Sequence, residues 1–228
     1  MLKSFIKMSA STENFLKTIY CFQKLEARDT KPGSIAKALG ISNAAATDMA
    51  RKLSEKDLLE YRKYQALQLT PKGESLALQV IRKHRLWETF LYRTFDMSLL
   101  EIHNEAELLE HATSDRMAEI LWNYLEKPSF DPHGDPIPNV YGFVDFEKDS
   151  KVLFKTEEDR EYRIIRLVSN DEEFYSFCCD NKIEIGNEIK VVKQYSKNQL
   201  TEISIHGRQI VIPKEFSNNI YVTKVNEQ

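Results

Sequence analysis

Residues 31–56 read KPGSIAKALGISNAAATDMARKLSEK, and this stretch decides the fold of the N-terminal part of the chain. It predicts a short helix that ends at Gly40, because glycine is favoured just past the end of a helix. Ser42 can cap a second helix, which is predicted over Asn43–Lys56. Two short helices joined by a glycine-containing turn are typical of a helix-turn-helix.

A further helix is predicted before this stretch. It starts at about Thr12, and either Ser11 or Thr12 can cap it. In the second helix of the helix-turn-helix, residues 44–46 are alanines. Such small side chains either let this helix lie close to another surface or pack against a neighbouring helix.

The residues that follow predict a wing. Residues 58–71 alternate like two strands around a turn that holds Arg62 and Lys63, and residues 70–73 open a new helix. A winged helix-turn-helix places its second helix in the major groove of DNA and its wing on the phosphates. Side chains at these two places are therefore candidates for contact with DNA, unless they form an ordinary solvated surface. Contacts with bases or phosphates are expected from Ser42, Asn43, Thr47 and Asp48, and contacts with phosphates from Arg51, Lys52, Arg62 and Lys63.

Charge is distributed unevenly over the 228 residues. Residues 1–95 carry 17 basic and 9 acidic side chains (net +8), residues 96–150 carry 3 and 13 (net −10), and residues 151–228 carry 12 and 13 (net −1). The basic first segment suits a polyanion, and the acidic second segment needs protons, cations or a basic partner. No apolar run is long enough for a membrane span, and residues 1–7 lack the features of a signal peptide. The three cysteines indicate free thiols in a cytoplasmic protein.

The character of the sequence changes after the helical part. Residues 128–138 hold four of the seven prolines, so no helix or central strand crosses them. Beyond residue 150 the pattern predicts about five short strands and a small barrel. The clearest strands are 162–168, 188–192, 200–205 and 209–213, with a hairpin turn at 206–208. The expected fold is mainly α with a β C-terminal domain.

Two helices carry the residues with the clearest chemistry. His84 and Glu88 lie four residues apart, and a second set lies at i, i+4, i+7 and i+8, so each set shares a helical face. The second set is His103, Glu107, Glu110 and His111. Three carboxylates and three imidazoles facing each other suit Mn²⁺, Fe²⁺, Co²⁺ or Zn²⁺. The alternative is a solvated acidic face with incidental histidines. The enzymatic His-Glu-x-x-His motif is absent.

These segments together resemble the diphtheria toxin repressor and manganese transport regulator family of metal-dependent transcriptional regulators. The resemblance covers residues 8–140 well, and residues 151–228 look like the SH3-like, FeoA-type third domain of some members. The segments that carry it are Ile35–Leu39, Leu67–Gly73, Arg82–Leu86, His103–His111 and His133–Pro138. It implies a winged-helix DNA-binding domain at 1–75, a helical metal-binding and dimerisation domain at 76–140, and the third domain at 151–228.

The resemblance also implies two metal sites and an anion site. The primary metal site is expected at Asn14, Glu107, Glu110 and His111. The ancillary metal site is expected at His84, Glu88 and His103, with Arg85 holding an anion nearby. A third-domain oxygen can complete the ancillary site, with Asp171, Glu172 and Glu173 as the alternatives.

Two positions depart from the family pattern. Asn14 is a neutral donor where members carry Met or Asp, and Lys17 replaces a glutamate of manganese-type members. A protonated lysine cannot bind metal, so a water or Glu13 is expected to fill the gap.

The expected function is that of a metal-dependent transcriptional regulator, a repressor of metal-uptake genes that binds a double-stranded DNA operator as a cytoplasmic homodimer. Glu107 offers a hard oxygen where iron-type members have Cys, which favours Mn²⁺ over Fe²⁺, while Co²⁺, Ni²⁺ or Zn²⁺ can substitute in vitro. The expected dimer surface holds Leu86, Trp87, Phe90, Leu91, Leu121 and Trp122, although each could equally belong to an internal core. The alternatives are a winged-helix regulator that responds to a small organic ligand and, disfavoured because no nucleophile–base pair or phosphate loop is present, a metalloenzyme.

Overall fold

The computed structural model describes residues 8–25, 28–95, 97–144, 150–169 and 171–225. The N-terminal residues 1–7, where we expect no signal peptide, lie outside this range. Two compact units are distinguished. The first comprises Met1–Trp87, Glu105–Lys127 and Ile137–Val144, and the second comprises Glu88–Asn104, Pro128–Pro136 and Asp145–Gln228. The division into three domains stays a prediction.

Helix α1 spans Ala10–Tyr20 and continues into a π-helical turn, Cys21–Leu25. The hydroxyl oxygen of Ser9 caps it by accepting a hydrogen bond from the Thr12 amide at 3.3 Å. The predicted cap at Ser11 or Thr12 is therefore wrong. Ser9, Ser11 and Thr12 are all good capping residues, so the local chemistry alone does not select among them.

The helix-turn-helix is confirmed. Helix α2 spans Pro32–Leu39 and ends at Gly40, which has a left-handed φ of 63°. Helix α3 spans Asn43–Glu55, and the Ser42 hydroxyl caps it by accepting from the Ala45 amide at 3.1 Å. Ala46 is buried, whereas residues 44 and 45 are exposed. The first turn of α3 thus exposes small side chains at residues 44 and 45, which let it approach another surface.

The wing is also confirmed. Strands β1 (Leu59–Glu60) and β2 (Gln68–Leu69) pair antiparallel, with Leu59 opposite Leu69. Apolar side chains of α1, α2, α3 and the wing share one core with the start of the next helix. This core fixes α3 and the wing on a common base.

Three helices follow the wing. They are α4 (Pro71–Phe95), α5 (Leu99–Glu110) and α6 (Asp115–Tyr124), the last capped by Ser114. Three members of the predicted dimer surface are buried within the single chain, namely Leu86, Leu91 and Leu121. Their assignment to a dimer surface is wrong, because helical spacing does not distinguish the face that packs internally from the face that packs against a partner. The exposed apolar side chains of α6 are Met117, Ile120 and Tyr124, which share one face.

The second unit contains an antiparallel sheet of six strands in the order β3-β8-β4-β5-β6-β7. The strands are β3 (Lys151–Val152), β4 (Arg160–Leu167), β5 (Glu188–Tyr195), β6 (Leu200–Ile205), β7 (Arg208–Pro213) and β8 (Ile220–Lys224). His206 and Gly207 form the predicted hairpin turn, and both have positive φ. A short helical turn, Leu153–Lys155, follows β3, helix α7 (Glu172–Asp180) packs on the sheet, and α8 (Lys214–Ser217) precedes β8. The fold class is therefore confirmed.

Within the part of the chain that the structure describes, none of the helices is long and apolar enough to cross a membrane.

Gly73 permits a close approach that sets the wing against α4. A Cβ at this position would lie 1.8 Å from the backbone oxygen of Leu58. We expect Gly73→Ala to lower the free energy of unfolding by about 1–3 kcal/mol, because the backbone must move apart. Gly33→Ala is the control, since its Cβ would meet only Asn43 Oδ1 at 3.6 Å. There the better helix propensity of alanine should stabilise by up to about 1 kcal/mol. Urea unfolding of the metal-free variants measures both, and equal effects would contradict this view of Gly73.

Candidate metal centre and nucleic-acid interface

A buried carboxylate lies at the centre of the first unit. Glu110 is 1% exposed. Its Oε1 lies 2.7 Å from Lys17 Nζ and 3.2 Å from His111 Nε2, and its Oε2 lies 2.7 Å from His84 Nδ1. A buried charge is costly unless it is paired and hydrogen-bonded. Nitrogen groups from α1, α4 and the end of α5 therefore converge on one acidic side chain.

Lys17 links this carboxylate to a second one. Its Nζ donates to Glu107 Oε1 at 2.5 Å and to Glu110 Oε1 at 2.7 Å. Burial lowers the pKa of Lys17, but the two carboxylates raise it by more, so its pKa lies above the ordinary value. The ammonium thus stands where the resemblance leads one to expect a ligand or a metal-bound water.

Two buried atoms beside this cluster are not satisfied. Asn14 Oδ1 and His111 Nε2 have no hydrogen-bond partner among the described residues. His111 Nδ1 lies 2.5 Å from Glu13 Oε2, and Nε2, which lies 3.2 Å from Glu110 Oε1, is the ring atom that faces the cluster. Glu13 therefore orients the imidazole, as carboxylates commonly do for histidine ligands of metals. The alternative in which Glu13 fills the gap left by Lys17 stays a prediction.

The donors present fit a divalent transition metal. Ligand atoms of His84, Glu107 and Glu110 lie within 4.8 Å of one another. Together with the unsatisfied atoms of Asn14 and His111, they form a mixed oxygen and imidazole set that suits Mn²⁺ or Fe²⁺. His84, which the resemblance assigns to the ancillary site, thus also reaches the two carboxylates of the primary set. The Lys17 ammonium opposes metal binding, because it contacts both of those carboxylates.

A second cluster lies in the second unit. Glu88 is 2% exposed, and its Oε1 lies 3.1 Å from His103 Nδ1 and 3.3 Å from His133 Nε2. Burial lowers the pKa of His133, but Glu88, Asp131 and Asp135 together raise it by more, so the net shift is upward. The Tyr175 hydroxyl shares a hydrogen bond with His133 Nδ1 at 3.2 Å. Glu88 and His103 were predicted together, and the structure brings them together.

His133 and Tyr175 are the members of this cluster that the sequence analysis missed. His133 lies in the His-Gly-Asp-Pro segment, which contributed only to the family resemblance. Of the third-domain candidates, Asp171 caps α7 by accepting from the Glu173 amide at 3.0 Å. Among the described residues after 150, Tyr175 contacts this cluster through His133.

Arg85, the predicted anion-binding residue, is buried in the first unit. Burial, and after it the charge of Glu74, raise the pKa of Tyr20, whereas the nearby Arg85 guanidinium lowers it. Arg85 thus lies in electrostatic reach of the Tyr20 hydroxyl. Its role toward an anion stays a prediction.

The predicted DNA-binding side chains of α3 lie largely on its exposed side. Those that are exposed are Ser42, Asn43, Thr47, Arg51 and Lys52. Asp48 is half-buried, and its carboxylate pairs with Arg51 Nη2 at 2.6 Å and Lys52 Nζ at 2.7 Å. These contacts lower the pKa of Asp48, and the hydrogen bond from Lys52 makes the largest contribution. Asp48 therefore orients two cations on this face.

The wing adds positive charge beside α3. Arg62 and Lys63 are exposed at the turn between its strands. Lys63 Nζ lies 5.0 Å from the ring centre of Tyr64, which is 84% exposed. A basic wing tip with an exposed aromatic ring is suited to the sugar–phosphate backbone of a duplex. The fold and the donor cluster together define the class of metal-responsive, winged-helix DNA-binding regulators.

Comparison with known proteins agrees with this class. Residues 7–67 match the "Iron dependent repressor, N-terminal DNA binding domain", residues 70–139 the "Iron dependent repressor, metal binding and dimerisation domain", and residues 153–224 the "FeoA domain". The diphtheria toxin repressor of Corynebacterium efficiens is 27% identical over 227 residues, which cover 95% of this chain and 96% of that protein. An uncharacterised helix-turn-helix transcriptional regulator of Methanocaldococcus jannaschii is 37% identical over 120 residues, or 53% of this chain and 96% of that protein.

A solved structure is similar over nearly the whole chain. It is described as a manganese-dependent transcriptional repressor in complex with manganese, and it matches with a TM-score of 0.89 and 28% identity over 94% of this chain and 100% of that chain. The chain belongs to the diphtheria toxin repressor and manganese transport regulator family of metal-dependent transcriptional regulators. Members of this family are DNA-binding regulators, not enzymes.

The role of Glu13 can be tested by removing its charge. We expect Glu13→Gln to weaken Mn²⁺ binding at the primary site by about 10–100-fold, because the His111 imidazole loses the partner that sets its tautomer. Glu74→Gln is the matched control, since Glu74 contacts Lys24 in a half-exposed pair at 3.8 Å. Isothermal titration calorimetry compares the variants. Equal affinities of Glu13→Gln and Glu74→Gln would show that Glu13 does not orient a ligand.

Proposed function

We propose that this protein represses genes of metal uptake when Mn²⁺, or alternatively Fe²⁺, fills its metal sites. The observation that carries the proposal is the buried cluster around Glu110, in which Lys17 of α1, His84 of α4 and Glu107 of α5 converge. α1 also belongs to the core on which the recognition helix α3 rests. A ligand that ties α1 to α5 would thus be coupled to the position of α3.

The proposed ligands are those that the family resemblance implies. The primary site uses Asn14, Glu107, Glu110 and His111, and the ancillary site uses His84, Glu88 and His103. His133 is a further donor beside Glu88. We place the DNA-binding domain at 1–75, the metal-binding and dimerisation domain at 76–140 and the FeoA-type domain at 151–228. DNA contacts are proposed for the eight residues of α3 and the wing, and anion binding is proposed for Arg85.

Glu107 supports Mn²⁺ as the physiological metal. Its carboxylate is a hard ligand, and the clusters offer carboxylate, carboxamide and imidazole donors without a thiolate. Mn²⁺ prefers such donors, whereas a thiolate would favour softer ions. Co²⁺, Ni²⁺ and Zn²⁺ bind the same donors more tightly in vitro by the general affinity order. Availability in the cell therefore decides which ion acts.

The chain's own residues explain how a bound ion would act on DNA binding. A bound ion would supply the positive charge that lets the acidic donors of the cluster lie together. Asn14 then holds α1 at a fixed distance from α5. In a homodimer this constraint would set the separation of the two α3 helices to match two half-sites on an operator. Metal-free protein samples other separations, so activation is a population shift.

The exposed α6 residues Met117, Ile120 and Tyr124 supply an apolar face suited to the dimer contact. A homodimer is the form in which two winged helices reach one operator. The site of action we propose is the cytoplasm, where operator DNA and the free metal pool meet.

Metal dependence is the first test of this function. We expect operator affinity to rise steeply with Mn²⁺, to collapse on chelation and to fall with added salt, because phosphate contacts release counterions. His111→Ala should lose the metal response, because it removes a buried donor. His206→Ala, which removes an imidazole from the exposed hairpin turn, should keep it. A gel-shift titration with the same affinity with and without metal would instead favour a regulator that responds to a small organic ligand.

Metal preference can be tested at position 107. We expect Glu107→Cys to lower activation by Mn²⁺ and to keep or improve activation by Fe²⁺ and Co²⁺, because softer ions accept sulfur. Activation should also become more dependent on pH, since a free thiol has a pKa of about 8.5 and must lose its proton to bind. Anaerobic operator titrations with each ion measure this. An unchanged ratio of Mn²⁺ to Fe²⁺ activation would show that residue 107 does not set metal choice.

A further inference from the structure

Lys17 occupies the space between the two carboxylates of the primary site. We propose that Lys17 is a tethered cation that competes with the metal for Glu107 and Glu110, and so sets the metal concentration at which the primary site fills. The inference rests on the proposed function, because it concerns the same site.

The position of Lys17 on α1 is the first support. Lys17 follows Asn14 by three residues and Glu13 by four, so the three side chains share one face of the helix. Glu13 contacts His111, and Lys17 contacts both carboxylates. One face of α1 thus carries Glu13, which contacts the proposed ligand His111, together with the proposed ligand Asn14 and the competing cation Lys17.

The contacts of the ammonium are the second support. Nζ lies 2.5 Å from Glu107 Oε1 and 2.7 Å from Glu110 Oε1, and the Lys17 side chain is 13% exposed. These are short, charge-assisted hydrogen bonds, one of them to the fully buried side chain of Glu110. An ion bound to the same Glu107 and Glu110 oxygens at a coordination distance of about 2 Å would occupy the space of the ammonium, and the two positive charges would repel. The ammonium and the ion therefore cannot hold these oxygens at the same time.

The consequence is a raised metal threshold. In the metal-free cluster Glu110 already contacts Lys17, His84 and His111, so it is not an unpaired buried charge. An ion must therefore displace an existing partner instead of relieving a repulsion. The apparent affinity of the site for the metal is its intrinsic affinity multiplied by the fraction of molecules in which the ammonium has moved away. Because the lysine side chain is flexible, the displaced ammonium can move out into solvent.

A purely structural role for Lys17 makes a different prediction. If the ion pair only held α1 against α5, its removal would loosen the ligand set and weaken metal binding. Competition predicts that its removal strengthens metal binding while it destabilises the metal-free protein. The two readings therefore differ in the sign of one measurable quantity.

The test compares Lys17→Met, which keeps the length of the side chain without its charge, with Lys24→Met as the matched control. Lys24 follows α1 in the same segment and makes a half-exposed pair with Glu74. Calorimetric titration with Mn²⁺ should show primary-site affinity raised by about tenfold or more in Lys17→Met, the size expected for losing a competing charged hydrogen bond. Lys24→Met should bind like wild type. The gain should vanish when His111→Ala is added, which assigns it to the primary site.

Thermal unfolding without metal gives an independent readout. Metal-free Lys17→Met should melt below wild type, and Mn²⁺ should raise its melting temperature by more than it raises that of wild type. If Lys17→Met does not fold without metal, Lys17→Gln, which keeps a hydrogen-bond donor, should show the same gain in Mn²⁺ affinity.

An unchanged or weaker Mn²⁺ affinity in the Lys17 variants overturns the competition, even when the wild-type protein binds its operator in a metal-dependent way. Operator binding by wild type that is indifferent to metal overturns the proposed function itself. The two failures are thus distinguishable.

Discussion

The buried carboxylate of Glu110 is the constraint on which the candidate site depends. It is 1% exposed and touches nitrogen atoms of Lys17, His84 and His111. Removing an ionised carboxylate from water costs several kcal/mol unless positive charge and hydrogen bonds compensate. The chain meets this cost by bringing groups from three helices to one point, which is also why helix α1 cannot be placed independently of α5.

This arrangement joins sensing to DNA binding through packing. Phe15, Leu16 and Ile19 of α1 are buried in the same core as Ile35 of α2 and Leu53 of α3. Protein interiors are close-packed and transmit displacement. Under the proposed function, a change at Asn14 or Lys17, on the face of α1 that contacts α5, would therefore reach α3 through this apolar core. The basic and exposed side of α3 stays available for DNA.

Local sequence signals predicted much of this architecture. The turn at Gly40, the cap at Ser42 and the hairpin at Gly207 follow from backbone preferences that act over three or four residues. The spacing of Glu107, Glu110 and His111 on α5 was likewise readable, since helical periodicity alone puts them on one face. The cap of α1 was misplaced because Ser9, Ser11 and Thr12 are chemically equivalent at this level.

The parts that sequence could not predict depend on long-range placement. Lys17 and Glu110 are 93 positions apart, and nothing local shows that the lysine enters the site instead of pointing to solvent. The contact of His133 with Glu88 is hidden for the same reason. Helical spacing assigned Leu86, Leu91 and Leu121 to a dimer surface, because an internal and an external apolar face have the same period. Each of these outcomes is decided by which elements pack together.

The coupling between Lys17 and Glu110 tests the central constraint most directly. Urea unfolding of metal-free wild type, Lys17→Met, Glu110→Gln and the double variant yields their interaction energy. We predict that the double variant is more stable than the sum of the single changes implies, by about 1–3 kcal/mol, because losing one partner strands the other as a buried charge. Effects that add to within about 0.5 kcal/mol would contradict the account, since Glu110 would then need no cation from α1.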